Sequence, residues 1–591
     1  STSSAASDVY KRQAIGEMDI RRYDVKRTRR SLSLNLDYNI DDNNQLFLKT
    51  IYNHRDDWEN RFRLRVGSID MEDMTARIRR QTKGGISDGN NKGTRLEDQR
   101  TQKYSLGGDH LLGGLKLDWK VSYSEASEDR PDERYVRYEQ KDVPFSSLNI
   151  SNPERPYFAW TGDAWNNPSD YRYRKTEQAF KTTNETNTSF SINLEKAYSD
   201  NDVWKIGFKF KDKTKMRDDI WYEYDNDLSN MDGVNYFDAS IPDYLAGDTY
   251  QSGYFVTANT LGMLSLSGPE DPNFDSYVMD EFAGGNYDAE EQIAAFYAMI
   301  VDKLGDDVTL IAGARFESTS INYTGQVFDE EEDELPSDIG SVSGGNDYYN
   351  ILPNLTLQWD VNDELNLNIA FTQSIARPSY YDLVPYEYSN SDDQELALGN
   401  PDLKSSLSTN FDFMGEWYFG GLSLLSFGYF SKDIKDWIYQ YTTNNYTYAG
   451  VDGYELSQLR NGEKASVSGF ELGFQTKFLK NFTFMGNYTS TDSSTNNVEG
   501  RDNVPLTGQV DDMYNLSLAF ENKKFFVRAS MNYASEALDE LSGDAYEDRY
   551  YDEQTFVDVN ANYKVNDNLS IFAEGKNLSL IHISEPTRLE P

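Results

Sequence analysis

NILPNLTLQWDVNDELNLNIAFTQSIARPSYYDLVPY, residues 350–386, and LGNPDLKSSLSTNFDFMGEWYF, residues 398–419, decide how the rest of the chain is read. In the first segment Leu355, Leu357 and Trp359 alternate with Thr356, Gln358 and Asp360. After a polar break, Leu365, Leu367, Ile369 and Phe371 alternate with Asn366, Asn368 and Thr372. Period-two alternation on both sides of a short turn is a β-hairpin with one apolar and one polar face. The hairpin opens into a long stretch carrying Arg377-Pro378, Pro385 and Gly399-Asn400-Pro401, then returns as a further alternating strand. The plan is short turn, long loop, short turn.

That plan recurs along the chain. Leu32 to Ile40 and Leu46 to Tyr52 flank a turn at Asp41 to Asn44, and Tyr104 to Tyr123 turns at Gly113-Gly114. Phe190 to Leu194 and Trp204 to Phe210 flank residues 197–202, and Ile293 to Met299 pairs with Val308 to Phe316. Four more hairpins follow, through Phe411 to Phe430, Val467 to Tyr488, Leu516 to Tyr533 and Val557 to Ala573. Between hairpins lie polar spans that read as loops: His54 to Arg100, Glu125 to Asn184, Lys213 to Glu290, and one holding the acidic run Asp329 to Glu334.

Strict separation of short from long connections excludes a sandwich or propeller and matches an outer-membrane barrel, with short periplasmic turns and long extracellular loops. About nine hairpins, hence about eighteen strands, are expected of an all-β, antiparallel transmembrane barrel. Composition agrees. In 591 residues there are 42 Tyr, 31 Phe and 9 Trp, enough to girdle two interfaces, and no apolar run long enough for a membrane helix. Because only alternate residues face lipid, the chain stays polar overall, at a formal net charge of −42. In lipid the backbone must be fully paired, so the sheet has to close, and eighteen strands enclose a lumen that wall side chains do not fill.

The absence of cysteine excludes disulfides and thiolate metal sites. Acidity argues against nucleic-acid binding. No catalytic arrangement, phosphate-cradling loop or H-E-x-x-H pattern is present, so neither enzymatic activity nor a cofactor is expected. The run Asp329 to Glu334 lacks the ligand spacing of a calcium loop and reads as a solvated tip, so no metal site is assigned.

Several segments together resemble the barrel of TonB-dependent outer-membrane receptors: EEQIAAFYAM (Glu290 to Met299), LIAGARFE (Leu310 to Glu317), NILPNLTLQWD, SIARPSYYDLVP (Ser374 to Pro385), GNPDLK (Gly399 to Lys404), SGFELG (Ser468 to Gly473) and EGKNL (Glu574 to Leu578). Their order carries the resemblance over residues 14–577. The chain departs from the pattern at Ser405-Ser406, where relatives commonly carry Pro-Glu. The resemblance implies a barrel of about twenty-two strands around an N-terminal plug, with a TonB-binding segment upstream. It implies uptake of a scarce, bulky nutrient across the outer membrane of a Gram-negative cell: an iron chelate, cobalamin or an oligosaccharide. The implied partners are outer-membrane lipid, the TonB complex and that ligand, with a surface lipoprotein as a further candidate. A passive porin-like channel and an adhesin-like surface-binding barrel are the alternatives.

The two ends have a different character. SSAASDVYKRQ (Ser3 to Gln13) and LSLIHISEPTR (Leu578 to Arg588) resemble a translated transposase-type sequencing adapter, so residues 1–13 and 578–591 are set apart from the fold. The expectation is that the plug, the first strands and the last strand lie outside the sequence.

Candidate ligand-binding residues are loop aromatics able to stack on a sugar or an aromatic chelator: Trp160, Trp165, Trp221, Tyr222 and Tyr224. To these are added Arg377, placed to meet an anion, and the adjacent Tyr380 and Tyr381. The competing reading packs the aromatics loop against loop and pairs Arg377 with a nearby carboxylate. Lys205, Lys209 and Lys211 occupy the polar face of their strand and point inward.

Overall fold

The computed structural model describes residues 16–151, 155–242, 249–279, 284–327, 335–390, 394–421, 423–496, 498–542, 545 and 548–578. The acidic run Asp329 to Glu334 and nearly all of both adapter-like termini lie outside the described residues. Among those residues, seventeen successive antiparallel pairings join eighteen strands in one meander, from Met18–Asp41 to Leu569–Gly575. No helix among them is long and apolar enough to cross a membrane.

Alternation fixes the faces of this wall. One lateral row holds Ile192, Phe208, Phe296, Phe316 and Ile351, each paired with the next across five strands. The last four are exposed, as are Leu32, Leu34, Leu36, Tyr38 and Ile40 on the first strand. Exposed apolar side chains in continuous rows form a lipid-facing belt, so the intervening positions line the lumen. Tight turns close one end. Gly113 and Gly114 both hold positive φ, at 58° and 86°, between Arg95–Leu112 and Leu115–Asn149.

At the other end the structure departs from the expected loops. The spans read as loops from His54 to Arg100 and from Glu125 to Asn184 are largely strand: Asn44–Asp70, Thr75–Gly84, Arg95–Leu112, Leu115–Asn149 and Arg172–Ala197. The same holds for the start of the third span, where Val203–Tyr224 runs past Lys213. The reason is that once past the lipid a strand no longer needs an apolar outer row, so charge on both faces does not end it. The barrel wall therefore rises well beyond the bilayer. Thr75–Gly84 takes the place of the Arg95–Leu112 strand in this upper part, pairing with Asn44–Asp70 on one side and Leu115–Asn149 on the other.

Register tells which face of the raised wall is which. Phe62, Leu64 and Val66 have the parity of the lipid-facing Tyr52, so they lie on the outer face. There they are buried with Ile78, Val136 and Tyr138 beneath Met231, Ala239, Phe255, Val256 and Leu261. The long connection after Tyr224 thus clads the outside of the wall instead of covering the mouth. Arg80, 1% exposed, fastens this cladding by donating to the carbonyls of Ser252 (2.7 Å), Tyr254 (3.0 Å) and Trp165 (3.0 Å), with the Tyr171 ring 4.8 Å away. Over the far strands a separate six-stranded sheet gathers the loops, from Glu387–Asn390 to Arg549–Tyr551, and includes two parallel pairings.

Candidate functional site

The inward face of the raised wall is the most concentrated arrangement of charge among the described residues. On Asn44–Asp70 the segment RFRLRV sends Phe62, Leu64 and Val66 outward and therefore Arg61, Arg63 and Arg65 inward. Adjacent strands extend the pattern. Arg65 lies opposite Arg79, Arg63 opposite Gln81 and Arg61 opposite Lys83; Gln81 in turn faces Arg137, and Arg137 faces Lys175.

Charge balance differs from top to bottom of this face. Lower down, the cations are matched. Glu133 is fully buried and sits 3.0 Å from Arg95, 3.2 Å from Lys83 and 3.5 Å from Lys181, with the Tyr135 hydroxyl donating to its other oxygen. Burial alone would raise the Glu133 pKa, but Lys83, Lys181 and Arg95 together hold it far below the usual carboxylate range. Burial also pushes Lys83 down to about 8, its attraction to Glu133 only partly opposing this and Arg95 adding to it.

Higher up, matching is incomplete: Arg65 pairs with Glu17 and Asp19, each at 2.9 Å, and Lys175 with Glu177 at 2.7 Å, but Arg63 between them is left out. Among the described residues Arg63 has no carboxylate within 4.0 Å, and its Nε is buried without a hydrogen-bond partner. Burial lowers its pKa to about 10, with Arg65, Arg61 and Arg137 as repelling neighbours that Asp19 and Glu177 only partly offset. A guanidinium desolvated among guanidiniums is costly unless an anion completes it.

The candidate residues read from the sequence fall into three places. Trp160 and Trp165 stack on each other and Trp160 on Phe158, all against the outer-face core. Trp221 lies on the inward face, stacked on Tyr135 with Lys181 Nζ 4.2 Å from its ring centroid, and buried beneath Met279. Tyr224 is fully buried on the outer side, donating to Gln178 and accepting from the Gly268 N–H, and Tyr222 packs beside it against Phe274 and Tyr277. The remaining three belong to the segment that folds into the mouth after Leu365–Ala376. Arg377 pairs with Glu317, Tyr380 donates to Glu291, and Tyr381 stacks on Tyr386 at 4.1 Å.

The arginine face itself was hidden inside a span read as a loop. Its signal was the alternation of arginine with Phe62, Leu64 and Val66, which marks a strand whose polar side is uniformly cationic. His54, isolated in the sequence, is not isolated in space: its Nε2 is 2.9 Å from Asp56 and 3.0 Å from Asp98 on the outer face. Arg30 and Arg100 occupy the other oxygens of these carboxylates, at 2.6 and 2.7 Å. Two guanidiniums already balance the two carboxylates, and the group reads as an ion-pair clasp across three strands.

A tall antiparallel barrel with an apolar belt, short turns at one end and a charged, walled mouth at the other is an outer-membrane uptake barrel. A family model described as TonB dependent receptor-like, beta-barrel, matches residues 127–578, and the chain belongs to that family. The chain is therefore a TonB-dependent receptor of the Gram-negative outer membrane, a transporter whose working involves TonB and a small-molecule ligand. No curated protein matches the chain in sequence. Among solved structures, it is similar to the closed form of the ferric-catecholate import receptor Fiu from E. coli K12, at 13% identity and TM-score 0.55, covering 96% of this chain and 78% of that one. It is also similar to a mutant of the ferric enterobactin receptor PfeA from Pseudomonas aeruginosa, at 12% identity and TM-score 0.49, covering 95% and 74%. A third is the ferric yersiniabactin uptake receptor FyuA from Yersinia pestis, at 12% identity and TM-score 0.48, covering 96% and 76%.

Proposed function

We propose that this receptor captures an anionic metal chelate, an iron chelate foremost, on the inward arginine face of the raised wall, and imports it with energy relayed through TonB. The observation that carries the proposal is Arg63, desolvated among like charges, with no carboxylate within 4.0 Å among the described residues and a buried Nε without a hydrogen-bond partner. An anionic ligand supplies what that position lacks, and bidentate geometry suits carboxylate or catecholate oxygens. The similarity to a ferric-catecholate import receptor supports the same ligand class. Release toward the periplasm needs a second state of lower affinity, and work from TonB is what supplies it. Neutral oligosaccharides and cobalamin make no use of the uncompensated Arg63 charge, so they fit this face less well.

Of the loop aromatics, we assign Trp160, Trp165, Tyr222 and Tyr224 to packing, and Trp221, buried beneath Met279, to stiffening the wall under the arginine face. Arg377, Tyr380 and Tyr381 hold the segment that narrows the mouth. Outer-membrane lipid is the solvent of the exposed belt, and the proposal requires no lipoprotein partner.

The test is uptake of a radiolabelled ferric catecholate and of a labelled neutral oligosaccharide by cells expressing the receptor, with and without TonB. Saturable, TonB-dependent accumulation of the chelate supports the proposal. Accumulation of the oligosaccharide alone, or of the chelate equally well without TonB, refutes it.

A further inference from the structure

At the end closed by tight turns, two neighbouring turns differ from the others. The turn between Lys464–Phe478 and Phe482–Asn496 is Leu479-Lys480-Asn481, and that between Asp512–Glu521 and Phe525–Ala534 is Asn522-Lys523-Lys524. A backbone hydrogen bond from the Glu521 N–H to the Asn481 carbonyl, 2.8 Å long, ties the two together. Leu479 and Lys480 hold φ of 49° and 64°, the only consecutive pair of non-glycine residues in the left-handed region among the described residues. Gly113-Gly114 and Gly420-Gly421 take the same region at other turns of this end, where glycine meets no steric penalty. A leucine followed by a lysine holds that conformation against the sterics of its own Cβ atoms, so the reason for these residues lies in their side chains.

Those side chains stand at the edge of the lipid belt. Leu479 is 78% exposed, at the foot of an aromatic row on the lipid-facing side. Phe478 and Phe482 stack with centroids 5.6 Å apart, Phe482 meets Phe520 at 5.0 Å, and Phe525 stacks on Tyr563 at 4.6 Å. Such a row marks the level at which acyl chains give way to headgroups. Just beyond it come Lys480, Lys523 and Lys524, all exposed and none with a carboxylate within 4.0 Å among the described residues. Elsewhere the same rim is acidic: Asp200 and Asp202, Asp306 and Asp307, and Asp363 and Glu364 occupy other turns. Lysines immediately beyond the apolar edge of a membrane attract anionic headgroups, whereas carboxylates repel them.

We propose that the Leu479-Lys480 turn and its neighbour form a seat for an anionic phospholipid of the periplasmic leaflet. Leu479 enters the boundary beside the acyl chains, where its exposed surface leaves water. Lys480, Lys523 and Lys524 meet the headgroup phosphate as flexible point charges, their stems lying along the aromatic row. The turns with paired carboxylates offer no such seat, so lipid charge is held on one arc of the rim.

The experiment offers the complete receptor in detergent either phosphatidylglycerol or phosphatidylcholine and counts retained lipid by native mass spectrometry. Wild type is expected to retain about tenfold more phosphatidylglycerol than phosphatidylcholine, and the variant carrying Lys480→Gln, Lys523→Gln and Lys524→Gln about twofold more at most. Leu479→Gly is expected to retain about fivefold less phosphatidylglycerol than wild type. Its gel-migration shift temperature should equal or exceed that of wild type, because glycine relieves the turn. No headgroup preference in wild type, or full preference in the glutamine variant, overturns the inference. So does a lower shift temperature in Leu479→Gly with unchanged lipid retention, which would make the turn structural alone. Displacement of the lipid by inorganic phosphate would reveal a site for the free ion and overturn the lipid assignment. In intact cells, a photoreactive residue in place of Lys480 should label phospholipid; labelling of protein alone would make the turns a docking surface for a periplasmic partner and refute the lipid seat.

Discussion

Arg377 donates from Nη2 to the Glu317 carboxylate at 2.6 Å, and from Nε and Nη2 to Thr319 Oγ1 at 3.2 and 3.0 Å. Glu317 and Thr319 are inward positions of the wall, so this one side chain draws the segment after Ala376 into the mouth and holds it there. Nearby, Asp382 accepts from both the backbone and hydroxyl of Ser379 and stiffens the turn. Replacing Arg377 with alanine should remove about 2 kcal/mol of charge-assisted hydrogen bonding and leave the barrel intact. The expected readout is new protease cleavage between residues 377 and 400 in intact cells, with unchanged heat-modifiable migration of the barrel. Cleavage no faster than in wild type would show that the segment is held by its tyrosines.

The two faces of the raised wall call for opposite responses to arginine removal. Arg63→Ala should relieve like-charge crowding, leave stability unchanged or slightly higher, and weaken binding of a ferric catecholate about tenfold, or about 1.4 kcal/mol. Arg80→Ala should do the reverse. It removes the Arg80 donor from the Ser252, Tyr254 and Trp165 carbonyls, of which Trp165 keeps the Tyr171 hydroxyl, and opens a hole under Tyr171, a loss of several kcal/mol at roughly 1–3 kcal/mol for each buried group orphaned. Protease accessibility of residues 225–279 measures the second effect. If both variants lose affinity with no other change, the assignment of inner and outer faces is wrong.

Acid–base behaviour of the buried network follows from the directions of its shifts. The Glu133 pKa is depressed, so its contribution to stability is present above the ordinary carboxylate value and is lost as pH falls toward its folded value. Glu133→Gln should therefore destabilise the raised wall at neutral pH by about 3–5 kcal/mol, and the gap from wild type should narrow in acid. Lys83 is lowered to about 8, so between there and its ordinary value the unfolded chain holds more protons than the folded one, and its contribution to stability rises with pH through that window. Loss of its charge near pH 8 should also weaken anion binding between pH 7 and 9. A binding isotherm series with wild type and Lys83→Gln checks this, since only wild type should show the step.

Lipid exposure of the belt is tested most directly at its middle. Phe296 is exposed between Phe208 and Phe316, and arginine there should cost about 2–4 kcal/mol of barrel stability in a bilayer. Arginine in place of the inward Tyr297 should cost far less. Equal effects at both positions, read as the temperature at which gel migration shifts, would contradict the assignment of faces.

What was legible in the sequence was what lipid imposes. Wherever a strand crosses the bilayer, one face must be apolar, and residues such as Leu355, Leu357 and Trp359 record it as strict alternation. Above the bilayer that constraint lapses, and RFRLRV at Arg61 to Val66 looked like part of a charged loop because its neighbours carry no apolar period of their own. Its partner strands are set by pairing across long sequence distances, such as Gln81 with Arg137, which no local pattern reveals. For the same reason the loop aromatics were recognisable as aromatics but not as belonging to the wall's inner or outer side. Trp221 and Tyr222 are adjacent in sequence and lie on opposite faces of one strand.

The cladding carried by the outer face has a consequence for life at a cell surface. An antibody or phage approaching from outside meets the segments around Met231, Ala239 and Phe255 to Leu261, packed over Phe62, Leu64 and Val66, while Arg61, Arg63 and Arg65 face the lumen on the same strand. Escape mutations can accumulate in the coat without touching the side chains that hold cargo, because a single layer of backbone separates the two. Predator pressure and nutrient choice thus act on opposite surfaces of one sheet, free to evolve at different speeds.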